Sequence, residues 1–196
     1  MTKKNPVYSP ALIDAMAFVS QAFRFKVRKG SGVPYLTHLL AVAALVGEGG
    51  GDEEQIIAAL LHDYLEDIPG GTEEELSLRY SPRVARLVLA LSDCTSQPKP
   101  PWKARKDAYL AHLENEPDEV KLISAADKLH NCRSLVRDHR QMGDAIFDRF
   151  NPEKEETLWY YRSLLPALSH NWEHFLLDEL RSEVWLLHKL AGHPLS

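Results

Sequence analysis

Four ionisable residues close the stretch Leu60-Leu-His-Asp-Tyr-Leu-Glu-Asp67, directly after an apolar run. At 3.6 residues per turn His62 and Glu66 stand one turn apart, and so do Asp63 and Asp67. Three carboxylates and an imidazole then share the end of one helix. Like charges packed this closely repel. A bound cation relieves the repulsion, so the stretch points to a metal-centred hydrolytic site. Two more residues could complete it: His38, alone in the apolar run Leu36-Thr-His-Leu-Leu-Ala-Val42, and Asp127, alone in Leu122-Ile-Ser-Ala-Ala-Asp-Lys-Leu129. A lone charge on an apolar face is costly unless it is paired or metal-bound. Asn131 follows Asp127 by one turn and points the same way. Taken singly, each has a bland explanation: a lone histidine is usually a core or surface residue, a lone aspartate usually solvated or ion-paired, and His-Asp a common dipeptide. The combination and its order carry the specificity.

The elements that must position these residues read as helices almost throughout. Ser9-Pro10 is a cap with proline at the first helical position, opening a helix over about 10–25. A nearly apolar helix spans about 37–46 and ends at Gly49-Gly-Gly51. Asp52 with Gln55 forms a capping box for the third helix, which carries the acidic stretch at its C-terminal end. Thr72 with Glu75 is a second capping box, for a short helix to about Tyr80. Ser81-Pro82 starts another, with Val84, Leu87, Val88 and Leu91 on one face. Asp93 to Pro101 is a loop, and Trp102 to about Asn115 a basic amphipathic helix. Pro117 opens the helix that holds Asp127. Residues 140–151 look irregular. Asn151-Pro152 caps a helix to about Ser169, and a last helix runs from about 171 to 190. The 196 residues show no alternating strand pattern, repeat or linker, which predicts one all-α domain over 1–196.

Composition narrows the function. A chain that is 44% hydrophobic and 26% charged is built like a globular protein with a sizeable core. Two cysteines make no disulfide framework, which fits a reducing cytosol, and the Met-Thr-Lys-Lys-Asn-Pro start lacks the apolar core of a signal peptide. A cytoplasmic location with no membrane segment is the expectation. A net charge of −5 argues against bulk nucleic-acid binding. It leaves room for a small anionic substrate, because local clusters matter more than the sum. Lys99, Lys103, Arg105 and Lys106 form one such cluster; Arg28-Lys29 form another. Either is also consistent with an ordinary solvated face.

Taken together, the ordered set His38, His62-Asp63 and Asp127 resembles the HD-domain metal-dependent phosphohydrolases, whose ligands run His, His-Asp, then a distant Asp. The chain is most similar to the alarmone hydrolases, the hydrolase domain of RelA/SpoT-type enzymes and their small stand-alone relatives. The matching blocks are Arg28-Lys29 with Pro34-Tyr-Leu-Thr-His38, Ala58-Ala-Leu-Leu-His-Asp-Tyr-Leu-Glu-Asp67, and Ala125-Ala-Asp-Lys-Leu-His-Asn131. Arg105-Lys106 matches a basic pair between the second and third blocks. The likeness covers about 10–165; residues 166–196 have no counterpart in the pattern, although the helices over about 152–190 close the bundle. Where the family often carries Thr-Val between His-Asp and Glu-Asp, this chain has Tyr64-Leu65, which marks Tyr64 as a residue expected to reshape the pocket wall and influence substrate choice.

The resemblance implies a helical HD bundle holding one Mn²⁺ on His38, His62, Asp63 and Asp127. The nitrogen and oxygen donors alone would equally suit Fe, Co, Ni, Zn or Mg. The metal would acidify a bound water and polarise the phosphoryl group, while Glu66 and Asp67 orient that water and handle its proton. Arg28 and Lys29 would lie against a nucleobase, Arg105 and Lys106 near phosphates, Asn131 at the ribose and Lys128 at the pocket edge. Tyr161 is a candidate for the far wall, within a Trp159-Tyr-Tyr161 run that core packing explains slightly better. The implied activity is removal of the 3′-diphosphate from ppGpp, ppApp or their 5′-triphosphate forms, releasing pyrophosphate. Hydrolysis of a nucleoside monophosphate or cyclic nucleotide is the enzymatic alternative, disfavoured by the two basic pairs. A non-catalytic scaffold is disfavoured by the intact ligand set. The base, the physiological role and the oligomeric state are not legible.

Overall fold

The computed structural model describes residues 7–94, 98–149 and 152–195, and among them the chain is all-α. The helices are α1 (Pro10–Ala22), α2 (Leu36–Glu48), α3 (Glu53–Leu61), α4 (Tyr64–Asp67), α5 (Glu73–Arg79), α6 (Pro82–Leu91), α7 (Trp102–Leu113), α8 (Asp118–Met142), α9 (Lys154–Ser169) and α10 (Phe175–Leu190), with a 3₁₀ segment over Gly143–Arg149. A lone antiparallel bridge pairs Val27 with Pro34. No described helix is long and apolar enough to cross a membrane.

Two helices organise the rest. In α3 every residue from Gln55 to Leu61 is buried, as expected of a helix that is apolar all round. It packs against α1, α2, α6 and α8. The long α8 runs beside α10, α2 and α6. Arg83 ties their ends together, bonding Asp52 at the start of α3 at 2.7 Å and Glu119 at the start of α8 at 2.7 Å. The predicted caps at Ser9, Asp52 and Ser81 all form, each side chain accepting a backbone N–H of the first turn.

Several expected boundaries differ. α1 stops at Ala22. Thr72 caps α5, but Glu75 does not return the bond; its carboxylate instead accepts the Tyr64 hydroxyl at 2.7 Å. Of the segment expected to be irregular over 140–151, residues 140–149 are helical: α8 persists to Met142, Gly143 turns the chain at φ 62°, and the 3₁₀ segment buries Ile146 and Phe147. The Asn151-Pro152 cap is displaced. α9 starts at Lys154 under a reciprocal Glu153–Glu156 capping box, and Asn151 lies outside the described residues. The last helix begins only at Phe175, where the His174 side chain accepts the Leu176 N–H.

The most consequential difference is a break in the predicted third helix. Helical hydrogen bonding lapses at His62-Asp63, and a separate turn, α4, follows. In a continuous helix neighbouring residues diverge by about 100°. The break lets both side chains reach one site, while Asp67 N–H still bonds the Asp63 carbonyl at 3.0 Å.

Candidate metal centre and active site

His38 from α2, His62-Asp63 from the α3–α4 turn and Asp127 from the middle of α8 meet in the core. His38 Nε2 lies 3.2 Å from Asp127 Oδ1 and 3.8 Å from Asp63 Oδ2; His62 Nε2 lies 3.0 Å from Asp63 Oδ2 and 3.6 Å from Asp127 Oδ1. One donor atom each from His38, His62 and Asp127 fits within 4.8 Å, a group able to hold a metal ion. His38 is 1% exposed, His62 3% and Asp127 5%.

Hydrogen bonding fixes which imidazole nitrogen faces the centre. His62 Nδ1 stands 2.7 Å from the Ala59 carbonyl, which can only accept, so Nδ1 carries a proton. His62 Nε2 is buried and makes no hydrogen bond, although Asp63 Oδ2 lies 3.0 Å away. A buried nitrogen without a partner is costly, and here it is turned toward two carboxylates. Burial opposes a proton on His62, but Asp63 and Asp127 outweigh burial and hold its pKa well above the ordinary value. Burial keeps His38 below its ordinary value. Burial also works against ionisation of Asp127, yet Lys128 and the imidazoles hold it well below the usual carboxylate range. The carboxylates therefore favour positive charge beside His62 Nε2, which a divalent ion on these donors would supply.

Each candidate ligand has a polar partner. Tyr35, stacked on Phe23, donates its hydroxyl to Asp63 Oδ2 at 2.6 Å. Lys128 Nζ donates to Asp127 Oδ2 at 2.5 Å and Asn131 Nδ2 to Asp127 Oδ1 at 2.6 Å. Arg28 in turn donates to Asn131 Oδ1 at 2.8 Å, which orients the amide. His38 Nδ1 contacts His130 Nδ1 at 2.8 Å. Burial, with His38 beside it, pushes His130 down to about 4, so it is neutral and able to accept. Tyr35 and His130 escaped the residue-by-residue reading. His130 lies three residues after Asp127 on a helix, and that spacing was the available signal.

The acidic pair separates. Glu66 lines a cavity of about 160 Å³ together with His62, Asp63 and Asp127. Its Oε1 accepts the Asp93 N–H at 2.8 Å, and burial, then Asp93 and Asp63, push its pKa up to about 7. Asp67 does not line this cavity; it is ion-paired with Lys26. Arg105 and Lys106 both grip Asp93, at 2.6 and 2.7 Å. Burial opposes the charge on Asp93, but these cations hold it at about 2. Lys106 lines the metal-end cavity, whereas Arg105 is turned to Asp93 and the Pro100 carbonyl. Lys103 is taken up by Asp107 and the Trp159 face.

Tyr35, Lys106 and Asn131 are shared with a second cavity of about 360 Å³, which Arg28, Lys29 and Tyr161 also line. A cation-lined, partly aromatic space thus opens directly from the candidate metal centre. Tyr64 is not part of it. Its ring packs on Phe18 with centroids 5.2 Å apart, and a Cβ on Gly71 would meet that ring at 2.7 Å. Tyr64 is buried against Phe18 with its hydroxyl on Glu75 and lines neither cavity, so the expectation that it shapes the pocket wall is corrected.

Comparison with known proteins agrees with this architecture. The HD domain family model matches residues 15–152, and the chain belongs to that family. Among its relatives, guanosine-3′,5′-bis(diphosphate) 3′-pyrophosphohydrolase MESH1 of Danio rerio is 35% identical over 129 residues, covering 64% of this chain and 69% of that protein. The guanosine-3′,5′-bis(diphosphate) 3′-pyrophosphohydrolase of Haemophilus influenzae is 31% identical over 172 residues; the match covers 85% of this chain but 23% of that longer protein. In fold, the chain is similar to a metazoan ortholog of SpoT described as hydrolysing ppGpp, with a TM-score of 0.77 at 22% identity over 96% of this chain and 99% of that one. That coverage takes in most of 166–196, the part without a counterpart in the sequence pattern. A Listeria monocytogenes protein matches with a TM-score of 0.69 at 25% identity, over 76% of this chain and 98% of that one.

Proposed function

We propose that the chain acts as one hydrolase domain that removes the 3′-diphosphate of a nucleotide alarmone, (p)ppGpp or (p)ppApp, and releases pyrophosphate. The observation that carries this reading is the buried, unpartnered Nε2 of His62 beside donor atoms of His38, Asp127 and Asp63, in a cavity that Lys106 and Lys128 also line. The names of the relatives point the same way.

His38, His62, Asp63 and Asp127 would hold the ion, for which Mn²⁺ is our proposal. Bound there, it supplies Lewis acidity that polarises the phosphoryl group and acidifies water. Glu66, with a pKa of about 7, suits taking the proton from the attacking water near neutral pH. Asp67, held by Lys26, is the second member of that pair. The water oxygen joins the phosphorus bound to O3′, the P–O3′ bond breaks, and O3′ receives a proton to become the 3′-hydroxyl. Lys106 neutralises the phosphates, with Arg105 acting through Asp93, while Arg28 and Lys29 lie against the nucleobase. Asn131, Lys128 and Tyr161 complete the substrate contacts.

The test is a panel: Mn²⁺-loaded protein with 3′-diphosphorylated guanosine and adenosine nucleotides beside nucleoside monophosphates and cyclic nucleotides. Pyrophosphate from the 3′-diphosphates alone is expected. Orthophosphate from monophosphates, or opening of cyclic nucleotides, would replace this reading with the other HD chemistry.

A further inference from the structure

The larger cavity contains a group that a polyphosphate site should not tolerate. Asp138 is the only carboxylate among the described residues that line it, in a wall that also holds Arg28, Lys29 and Lys106. A carboxylate facing phosphates repels them. It must therefore face the part of the substrate that carries hydrogen-bond donors.

Its position says which part. Asp127 and Asp138 are both on α8, eleven residues apart, close to three full turns, so they lie on one stripe about 16 Å apart along the axis. Asn131 and Ser134 fill the stripe between them and line the same cavity. A nucleotide whose 3′-diphosphate sits at Asp127 and whose sugar sits near Asn131 brings its base toward Asp138. The polar groups that α8 and α9 add to this wall beyond Asn131 are acceptors or hydroxyls. Ser134 spends its hydroxyl proton on the His130 carbonyl at 3.0 Å, leaving lone pairs for the cavity. Arg137 takes one lone pair of Asp138 Oδ1 at 3.0 Å, and the side chain is 21% exposed; a carboxylate has about four acceptor sites, so both oxygens remain usable. From α9, Thr157 Oγ1 is buried and has no partner.

We infer that Asp138 reads the base edge and selects guanine over adenine. Guanine presents its N1–H and 2-amino group side by side, two donors that match one carboxylate. Adenine presents a 6-amino donor beside the bare lone pair of N1, which a carboxylate repels. A site built to pair with particular groups rejects an analogue lacking them far more strongly than a hydrophobic pocket does, and one bidentate base contact discriminates by roughly fivefold to a hundredfold.

The inference rests on the alarmone-hydrolase reading, and the experiment separates the two. Specificity constants are measured for ppGpp, ppApp and the inosine analogue ppIpp, which lacks the 2-amino group, alongside dissociation constants on the metal-free protein, where no turnover occurs. The wild type should prefer ppGpp over ppApp by about tenfold or more, with ppIpp between them, and binding should follow the same order. Asp138→Asn, whose amide complements the adenine edge, should collapse or invert the ratio. Equal use of ppGpp and ppIpp by the wild type, or an Asp138→Asn ratio unchanged with both substrates lowered alike, would overturn the assignment while leaving the activity intact. Absence of pyrophosphate from all three would overturn the activity itself, and the dissociation constants would still report the base preference.

Discussion

Replacing His130 with alanine should weaken metal binding without touching a ligand. His38 must offer the Nε2 lone pair to the ion, so its proton resides on Nδ1, and His130 Nδ1 at 2.8 Å is the acceptor. In His130→Ala that N–H is stranded on a side chain 1% exposed. An unsatisfied buried donor costs about 1–3 kcal/mol. Loss of a partner that orients a metal-bound histidine typically lowers affinity by about 10–100-fold, which is about 1.4–2.8 kcal/mol at 1.4 kcal/mol per decade; the two figures agree. The assay is the Mn²⁺ dissociation constant by competition with a chelator of known affinity, with thermal unfolding in parallel. His130→Asn and His130→Gln, which retain an acceptor, should recover part of the loss. An alanine variant that binds Mn²⁺ as tightly as wild type would refute the reasoning.

Other consequences follow from the same geometry. His62 is held protonated by Asp63 and Asp127, so an incoming metal displaces that proton, and affinity should rise with pH until His62 is neutral. Calorimetry in buffers of different ionisation heat should show about one proton released per ion bound; no release would contradict the assignment. Glu66→Gln should keep the metal yet lose roughly 10²–10⁴ in rate. It should also abolish an acidic fall-off near pH 7, because the base works only when ionised above its pKa of about 7. Tyr64→Phe removes the Glu75 bond outside the site and should cost about 1 kcal/mol of stability, read by denaturant unfolding, with the ratio of ppGpp to ppApp turnover unchanged.

The candidate ligands stand out in the sequence because each breaks a local rule. His38 and Asp127 are polar residues on apolar helix faces, and His62-Asp63 ends an apolar run. The all-α architecture and most caps followed from periodicity and from Ser, Asp and Thr at helix starts. What sequence alone did not convey were the consequences of tertiary contact. Nothing local marks Asp93 as the partner of Arg105 and Lys106, since that ion-pair cluster exists only once Asp93, just after α6, comes against α7. The break at His62-Asp63 was hidden because Leu-Leu-His-Asp-Tyr-Leu is acceptable helical sequence. Asp67 looked equivalent to Glu66 by spacing, yet Lys26 draws it away from the cavity.

The most direct test is the fate of ppGpp in ¹⁸O-labelled water with Mn²⁺-loaded wild type and with Asp127→Ala. The predicted result is equimolar GDP and pyrophosphate, the label in pyrophosphate and none at the 3′-hydroxyl, with turnover lost in the variant. Orthophosphate as the product, or an Asp127→Ala variant as active as wild type, would contradict hydrolysis at this centre.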